Sequence, residues 1–207
     1  MIEKSPERLV FFTDAVVAIA LTLLVLPLTE IVPELVAAHG EPIEAITQNQ
    51  PKIWSFLLSF VVIGRQWFGH HRLFEHVRAY HQTLLLTNMV WLLSVIVMPF
   101  ATQLVGGFGT DEFSCLLYIG TIVVNSGCIS LMTLAVRSNP KLLKEGEQLS
   151  NRWMVNTLGT TIAMVAAFVL VLLVPAANYY SLLLLLVPPA VARLMHPEPA
   201  KPIRLSE

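Results

Sequence analysis

Hydrophobic residues gather in long runs along the chain, and short polar stretches separate the runs. A helix needs about 20 mostly apolar residues to cross the hydrocarbon core of a bilayer. The sequence therefore predicts six membrane-spanning helices, at residues 10–28, 53–68, 84–104, 113–136, 154–174 and 179–194. The expected fold is an all-α integral membrane protein in which residues 1–195 form one six-helix domain. Residues 196–207 lack an apolar period, and we expect them to be a mobile cytoplasmic tail.

The composition excludes several classes of protein. Of the 207 residues, 55% are hydrophobic and 13% are charged, whereas about a quarter of a soluble domain is charged. This argues against a disordered chain, a coiled coil and an ordinary soluble enzyme. The formal net charge of -1 predicts no nucleic-acid partner, because there is no basic excess to neutralise phosphates. Cys115 and Cys128 would lie about 20 Å apart on one helix, too far to form a disulfide.

The positions of the basic residues predict the orientation in the membrane. Every Lys and Arg except Lys52 is assigned to one of the two tails or to an even-numbered connection. Acidic residues dominate the opposite side, including the longest connection, residues 29–52. Because short cytoplasmic loops carry the excess of basic residues, both termini are predicted to be cytoplasmic. We expect the chain to reside in the plasma membrane.

Asp14 is a carboxylate inside the first predicted helix. A charged group at membrane depth is costly unless it has a partner, and such groups often mark ion or proton pathways. Two interpretations stay open: Asp14 is the coupling carboxylate of a small secondary transporter, or it is hydrogen-bonded to neighbouring helices and has a structural role.

Four histidines cluster near the end of the second predicted helix: His70, His71, His76 and His81. They suggest a further alternative, a membrane metalloenzyme. Metal sites built on helices repeat their ligands at i,i+3 or i,i+4 and use more than one such pair. Successive histidines of this cluster are one, five and five residues apart, and there is no second pair. We therefore expect no bound metal, no enzymatic cofactor and no catalytic activity.

A longer motif surrounds Asp14. Arg8, Phe12, Thr13 and Asp14 form the pattern R-x-x-x-F-[ST]-D, which resembles the first-helix signature of the transmembrane protein 175 family, the lysosomal, endosomal and prokaryotic potassium channels. The family usually has Ser where Thr13 stands, and Thr keeps the hydroxyl. Further matches lie in the second and third predicted helices, at Ser59, Phe60, Trp67, His70, Phe74, Asn88, Trp91, Pro99 and Phe100.

The resemblance implies a potassium-selective, or at least potassium-permeable, channel subunit without a carbonyl-loop filter. It implies a homotetramer in the bilayer, with the first helix of each chain lining a central pore. Ile19 corresponds to the constriction of that pore, and Thr22 to a hydroxyl linked to selectivity. Potassium would be the permeant ion, held only transiently near Thr22.

The resemblance also implies a polar network behind the pore. The Arg, the hydroxyl and the Asp of the motif would be linked to polar groups of the second and third helices. By position, those groups are His70 and Asn88. The motif network is thus expected to comprise Arg8, Phe12, Thr13, Asp14, His70 and Asn88.

Helix geometry gives an independent reason for a pore face. At 100° per residue, Ile19, Leu23 and Leu26 share one stripe, with Thr22 on its edge and Glu30 at its outer end. Asp14 lies about 140° from Ile19. An apolar stripe that ends in a carboxylate suits a narrow pore that gates by dewetting, and the pattern alone also fits a helix whose apolar residues face lipid or protein. Residues 105–109, V-G-G-F-G, superficially resemble a carbonyl filter, but the preceding helix leaves no room for a pore helix, and we predict a flexible outer turn.

Overall fold

A computed structural model describes residues 5–195, and this part of the chain is helical apart from its connections. The predicted tail, residues 196–207, lies outside the described residues. Two 3₁₀ helices, Pro140–Leu142 and Pro175–Leu186, accompany the α-helices. The α-helices are α1 Glu7–Leu23, α2 Leu26–Thr29, α3 Ile31–Ala37, α4 Glu44–Thr47, α5 Gln50–Glu75, α6 Gln82–Phe108, α7 Glu112–Ser138, α8 Asn151–Leu173 and α9 Val187–Met195.

Prolines divide the first apolar segment into three helices. Pro27 lies in the first turn of α2 and Pro33 in α3, and a proline cannot donate a backbone hydrogen bond within a helix. The backbone at Leu24, Val25 and Glu30 nevertheless stays right-handed helical. The segment therefore continues to Ala37, well beyond the predicted end at residue 28. The predicted connection 29–52 consequently contains α3 and α4 and is not an open loop.

The next helices are longer than predicted. Side chains cap three of them: His81 accepts a bond from the Leu84 backbone N–H, Asp111 accepts one from that of Ser114, and Ser150 accepts one from that of Trp153. Helix α5 extends past the predicted range 53–68 to Glu75, so that Arg72 lies inside the helix and not in a connection. Helix α6 continues through Gly106 and Gly107, and the predicted outer turn shrinks to its end at Gly109, where φ is 64°.

The last segment is kinked, in contrast to the continuous helix predicted at 179–194. It begins as the 3₁₀ helix Pro175–Leu186, with a non-helical φ of 45° at Asn178, and continues as α9. Asn178 Oδ1 accepts a hydrogen bond from the Tyr179 backbone N–H. Pro188 and Pro189 then restrict the start of α9, since neither can donate to a preceding carbonyl.

Five segments within residues 5–195 are long and apolar enough to cross a membrane. They are Glu7–Ala37, Gln82–Phe108, Glu112–Ser138, Asn151–Leu173 and Pro175–Met195. The chain is therefore an all-α integral membrane protein. Helix α5 has 26 residues, but its second half carries Arg65, Gln66, His70 and His71, which make it less apolar than the other five.

Helices α6 and α7 form the centre of the bundle. Trp91 and Met98 of α6, and Ile122 and Met132 of α7, are at most 1% exposed. Helices α1 and α5 pack against α6, while α8 packs against α7 and the last segment. The position of α1 at the side of this core leaves one of its faces uncovered.

The small residues of α8 are used within the chain. A Cβ atom at Gly159 would lie 3.2 Å from Pro188 Cβ, and Ala167 is fully buried. This face allows α8 and α9 to approach closely. These small residues therefore pack within the chain.

Candidate functional site

Helix α1 has one buried face and one exposed face. Thr13, Val17, Ala20 and Leu24 are at most 2% exposed. The exposed arc lies on the opposite side of the helix, and its large hydrophobic members include Phe12 at 54%, Ile19 at 59%, Leu23 at 41% and Leu26 at 50% exposure. All three residues of the predicted apolar stripe therefore lie on the uncovered face.

Three polar side chains accompany that stripe: Thr22, Thr29 and Glu30. The Thr22 hydroxyl donates to the carbonyl oxygen of Ile19 at 2.7 Å. Because the single hydroxyl proton is used inside the helix, the oxygen lone pairs remain available to accept. They would suit a cation better than an anion. Thr29 repeats this geometry towards Leu26 at 2.8 Å, and the side chain of Glu30 is exposed beyond it.

The buried face of α1 is joined to the bundle by a chain of hydrogen bonds. Asn88 Nδ2 donates to Thr13 Oγ1 at 3.0 Å, and His70 Nε2 lies 2.6 Å from Asn88 Oδ1. A carbonyl oxygen only accepts, so Nε2 carries the proton. Thr13, His70 and Asn88 are each 0% exposed. The structure thus brings together three of the six residues of the expected motif network, from α1, α5 and α6.

The network continues through an aromatic stack. The His70 ring lies between Phe74 and Trp91, with both ring centroids 4.4 Å away. Trp91 Nε1 donates to Asn125 Oδ1 at 2.9 Å, which extends the contacts to α7. Asn125 of α7 also donates to Ser94 of α6, at 3.0 Å. The stack holds His70 rigidly, since it packs both faces of the imidazole.

Asp14 lies apart from this chain. Its Oδ1 accepts a hydrogen bond from Trp67 Nε1 of α5 at 2.8 Å, and the residue is half-buried. Trp67 as the partner was not predicted. The signal was present in the sequence, because an indole N–H at membrane depth needs an acceptor.

Within residues 5–195, Arg8 and Phe12 lie on the exposed face of α1, apart from the buried hydrogen bonds that join Thr13, Asn88 and His70. Both are exposed, and Arg8 makes no hydrogen bond or ion pair with any residue between 5 and 195. The reason is rotational. Arg8 precedes Ile19 by eleven residues, which at 100° per residue places it about 20° from Ile19 and therefore on the exposed face.

A second buried polar cluster lies further along α5 and α6. Ser59 Oγ is 3.0 Å from the Tyr118 hydroxyl and 2.7 Å from Thr102 Oγ1. All three residues are at most 3% exposed. The cluster ties α5, α6 and α7 together. The sequence analysis named only Ser59 of these three residues. A single hydroxyl in an apolar run does not show which other helix it will contact.

The histidines do not converge. His71 pairs with Glu75 at 3.6 Å, His76 pairs with Glu147 at 3.4 Å, and His81 caps α6 by accepting from the Leu84 N–H. Residues 5–195 contain no group of three or more His, Cys, Asp or Glu side chains that could hold a metal ion. The metalloenzyme alternative therefore lacks a donor set in this part of the chain.

Comparison with known proteins matches the first half of the chain to a family. Residues 8–99 match the family described as "Endosomal/lysosomal potassium channel TMEM175". A protein of Chryseobacterium sp. named as a potassium channel is 33% identical over 99 residues, covering 48% of each chain. One of Streptomyces collinus, also named as a potassium channel, is 32% identical over 105 residues, which is 51% of this chain and 50% of that one.

Vertebrate relatives match a longer part of this chain. The Gallus gallus protein named "Endosomal/lysosomal proton channel TMEM175" is 33% identical over 150 residues, which is 70% of this chain and 30% of the relative. The chain thus spans about half the length of these bacterial relatives and less than a third of the vertebrate one. The matched names are those of ion channels, in agreement with the expectation that the chain is not an enzyme.

Proposed function

Since the first half of the chain, residues 8–99, belongs to the TMEM175 family, we propose that the chain is a subunit of a potassium-permeable channel. The bacterial relatives carry that function in their names. In this proposal the exposed face of α1 lines a central pore, and several chains surround the axis. The structure of one chain supports the proposal through the two faces of α1.

The observation that carries the proposal is an anchored helix with an open apolar face. Thr13 fixes the back of α1 through a bond to Asn88, while Ile19 and Leu26 on the front contact nothing that would bury them. A helix fixed in this way can hold its front at a constant distance from a symmetry axis. A helix that only faced lipid would need no hydroxyl and no carboxylate on that face.

The order of residues along this face describes an ion path. Ile19 would form the narrowest ring and Leu26 a second, wider one, where an ion loses part of its hydration. Thr22 lies between them and offers hydroxyl oxygens that replace lost water. Leu23 flanks the path, and Glu30 would form a ring of carboxylates at the outer mouth. No cofactor is required, because potassium is the permeant ion and occupies the region of Thr22 only transiently.

A closed pore requires more than one chain, and we propose a homotetramer. One chain supplies one anchored pore helix, and cyclic symmetry repeats it around an axis. The exposed arc of α1 is wide enough to face both the axis and a neighbouring chain, since it includes Phe11 at 72% exposure as well as Ile19. Native mass spectrometry in detergent should show four chains.

We further propose six membrane crossings with both termini in the cytoplasm of the cell, in the plasma membrane. Helix α5 would be the sixth crossing, since its 26 residues extend for about 39 Å. Its polar second half is compatible with a span because His70 and Gln66 are buried against protein and not exposed to lipid. An even number of crossings places both ends on one side, where basic residues predominate.

The transporter alternative depends on Asp14, and the geometry does not favour it. A coupling carboxylate must be reached by the transported ion, but Asp14 points away from the open face and accepts a bond from Trp67. Its place in the structure is that of a link between α1 and α5. The channel is therefore the function that the geometry supports best.

A recording in a planar bilayer tests the proposal. The purified protein is inserted with potassium chloride on one side and sodium chloride on the other, and the reversal potential is measured. We expect a current that follows the voltage, with a reversal potential of the sign that shows a higher permeability to potassium than to sodium. A second condition with impermeant salts and a pH gradient measures proton current, the activity in the vertebrate relatives' names. Flux that needs a second ion gradient, or intact oligomers that carry no current, would contradict the channel.

A further inference from the structure

A cavity whose lining includes no residue of α1 lies between other helices of the bundle. It has a volume of about 190 Å³ and is enclosed by α5, α7, α8 and Pro189 of α9. Most of its lining residues come from α5 and α8. The α5 residues that line it lie in the second half of that helix, which is its cytoplasmic half in the proposed orientation.

Two arginines give this cavity a positive charge. Arg65 and Arg72 both line it, and they lie seven residues, or two turns, apart on one face of α5. Within residues 5–195 neither guanidinium lies within 4.0 Å of a carboxylate, and no Asp or Glu lines the cavity. Arg72 rests over the rings of Phe68 and Trp153, at 5.4 and 5.5 Å. Stacking of this kind orients a guanidinium while leaving its N–H groups free to donate.

Unsatisfied polar groups of the neighbouring residues also line the cavity. Gln66 is 8% exposed and makes no hydrogen bond to another residue of the described range 5–195. Trp153 Nε1 and Asn156 Oδ1 are buried and have no hydrogen-bond partner among the same residues. Buried polar groups are normally paired. Three such groups around one positively charged cavity indicate that a polar ligand completes the site.

The α5 wall leaves room for a ligand between the two arginines. Gly69 lies between them in sequence and lines the cavity, and a Cβ atom at this position would meet no heavy atom within 4 Å. Any larger side chain here would project into open space. The volume of the cavity is sufficient for a phosphate group with part of its ester substituent.

From these features we infer that the cavity binds a phosphate group, supplied by an anionic phospholipid or by free phosphate. Guanidinium groups bind phosphate oxygens through paired N–H donors. The Trp153 indole and the Gln66 carboxamide supply further donors. Basic pockets between transmembrane helices are suited to lipid headgroups, and this pocket is separate from the proposed ion path along α1.

The experiment measures binding to the purified full chain with two probes. Native mass spectrometry counts retained phosphatidylglycerol against phosphatidylcholine. Thermal unfolding in detergent compares inorganic phosphate with chloride at equal ionic strength. The variants are Arg65→Gln, Arg72→Gln and Gly69→Leu, the last of which fills the cavity and keeps both charges. Arg193→Gln is the matched control, because Arg193 is exposed and outside the cavity.

We expect each of the three cavity variants to weaken binding about tenfold, and Arg193→Gln to leave it unchanged. Retention of phosphatidylglycerol alone identifies a lipid, while a shift with inorganic phosphate identifies the free ion. Binding of neither probe by the wild-type protein overturns the inference. An equal loss in Arg193→Gln also overturns it, since the attraction would then come from surface charge. Undiminished binding by Gly69→Leu overturns the inference as well, since the ligand would then lie outside the cavity.

Discussion

Replacement of Asn88 by Ala tests whether the buried network anchors the helix that carries the open face. Asn88 is fully buried and makes two bonds, to His70 and to Thr13. Its removal leaves both of those partners unsatisfied, and His70 Nδ1 already has no partner in residues 5–195. Hydrogen bonds between membrane helices contribute about 0.6 kcal/mol on average and up to about 1.7. Loss of two therefore lowers the free energy of unfolding by roughly 1–3 kcal/mol.

The neighbouring residue provides the control. Thr87 bonds only to the Thr83 carbonyl of its own helix, at 3.0 Å, so Thr87→Ala should cost less than about 0.5 kcal/mol. Unfolding is measured by titration with a denaturing detergent in mixed micelles. The double variant Asn88→Ala/Thr13→Val should lose less stability than the sum of the two single losses, because both substitutions remove the same hydrogen bond. If Asn88→Ala costs no more than Thr87→Ala, the network does not hold α1 in place.

Three further predictions follow from the same geometry. Asp14→Asn and Trp67→Phe should each weaken the bond between the two residues and lower the melting temperature, and the double variant should show little additional loss. Arg8→Ala should leave the melting temperature within about 1 °C of wild type, because Arg8 lacks a partner between residues 5 and 195; a loss of stability comparable to that of Asp14→Asn would show that it has one. A cysteine placed at exposed Glu34 should react with a membrane-impermeant maleimide from outside intact cells, and one at exposed Lys144 only after permeabilisation; the reverse pattern would invert the orientation.

The hydropathy of the sequence predicted where helices lie, but it did not predict whether each helix is continuous. A run of apolar residues shows that a segment can enter the bilayer, but it does not show where the backbone hydrogen bonds of the helix are interrupted. Pro27 divides the first segment, and Pro175, Asn178 and Pro188 shape the last. Arg72 was assigned to a connection because charge usually marks a loop. In the fold it lies within α5, where the long side chain reaches a cavity.

The open face of α1 could be derived from rotation alone, and the polar partners could not. The angle of about 140° between Asp14 and Ile19 agrees with their separate environments in the structure. The partner of Asp14, however, is Trp67, and a pairing between two helices depends on how they cross. The same limit explains why Arg8 was placed in the network. Adjacency in a motif indicates a shared role but not a shared contact.

The most direct test of the channel is a comparison of three variants under identical potassium and sodium gradients. Ile19→Asn replaces the side chain of the proposed constriction and should raise the current and weaken discrimination against sodium. Thr22→Val removes the hydroxyl and should mainly weaken discrimination. Val17→Ala lies on the buried face, where Val17 is 1% exposed, and should leave the reversal potential unchanged. If Ile19→Asn changes neither conductance nor reversal potential while Val17→Ala shifts them, the exposed face of α1 does not line the pore.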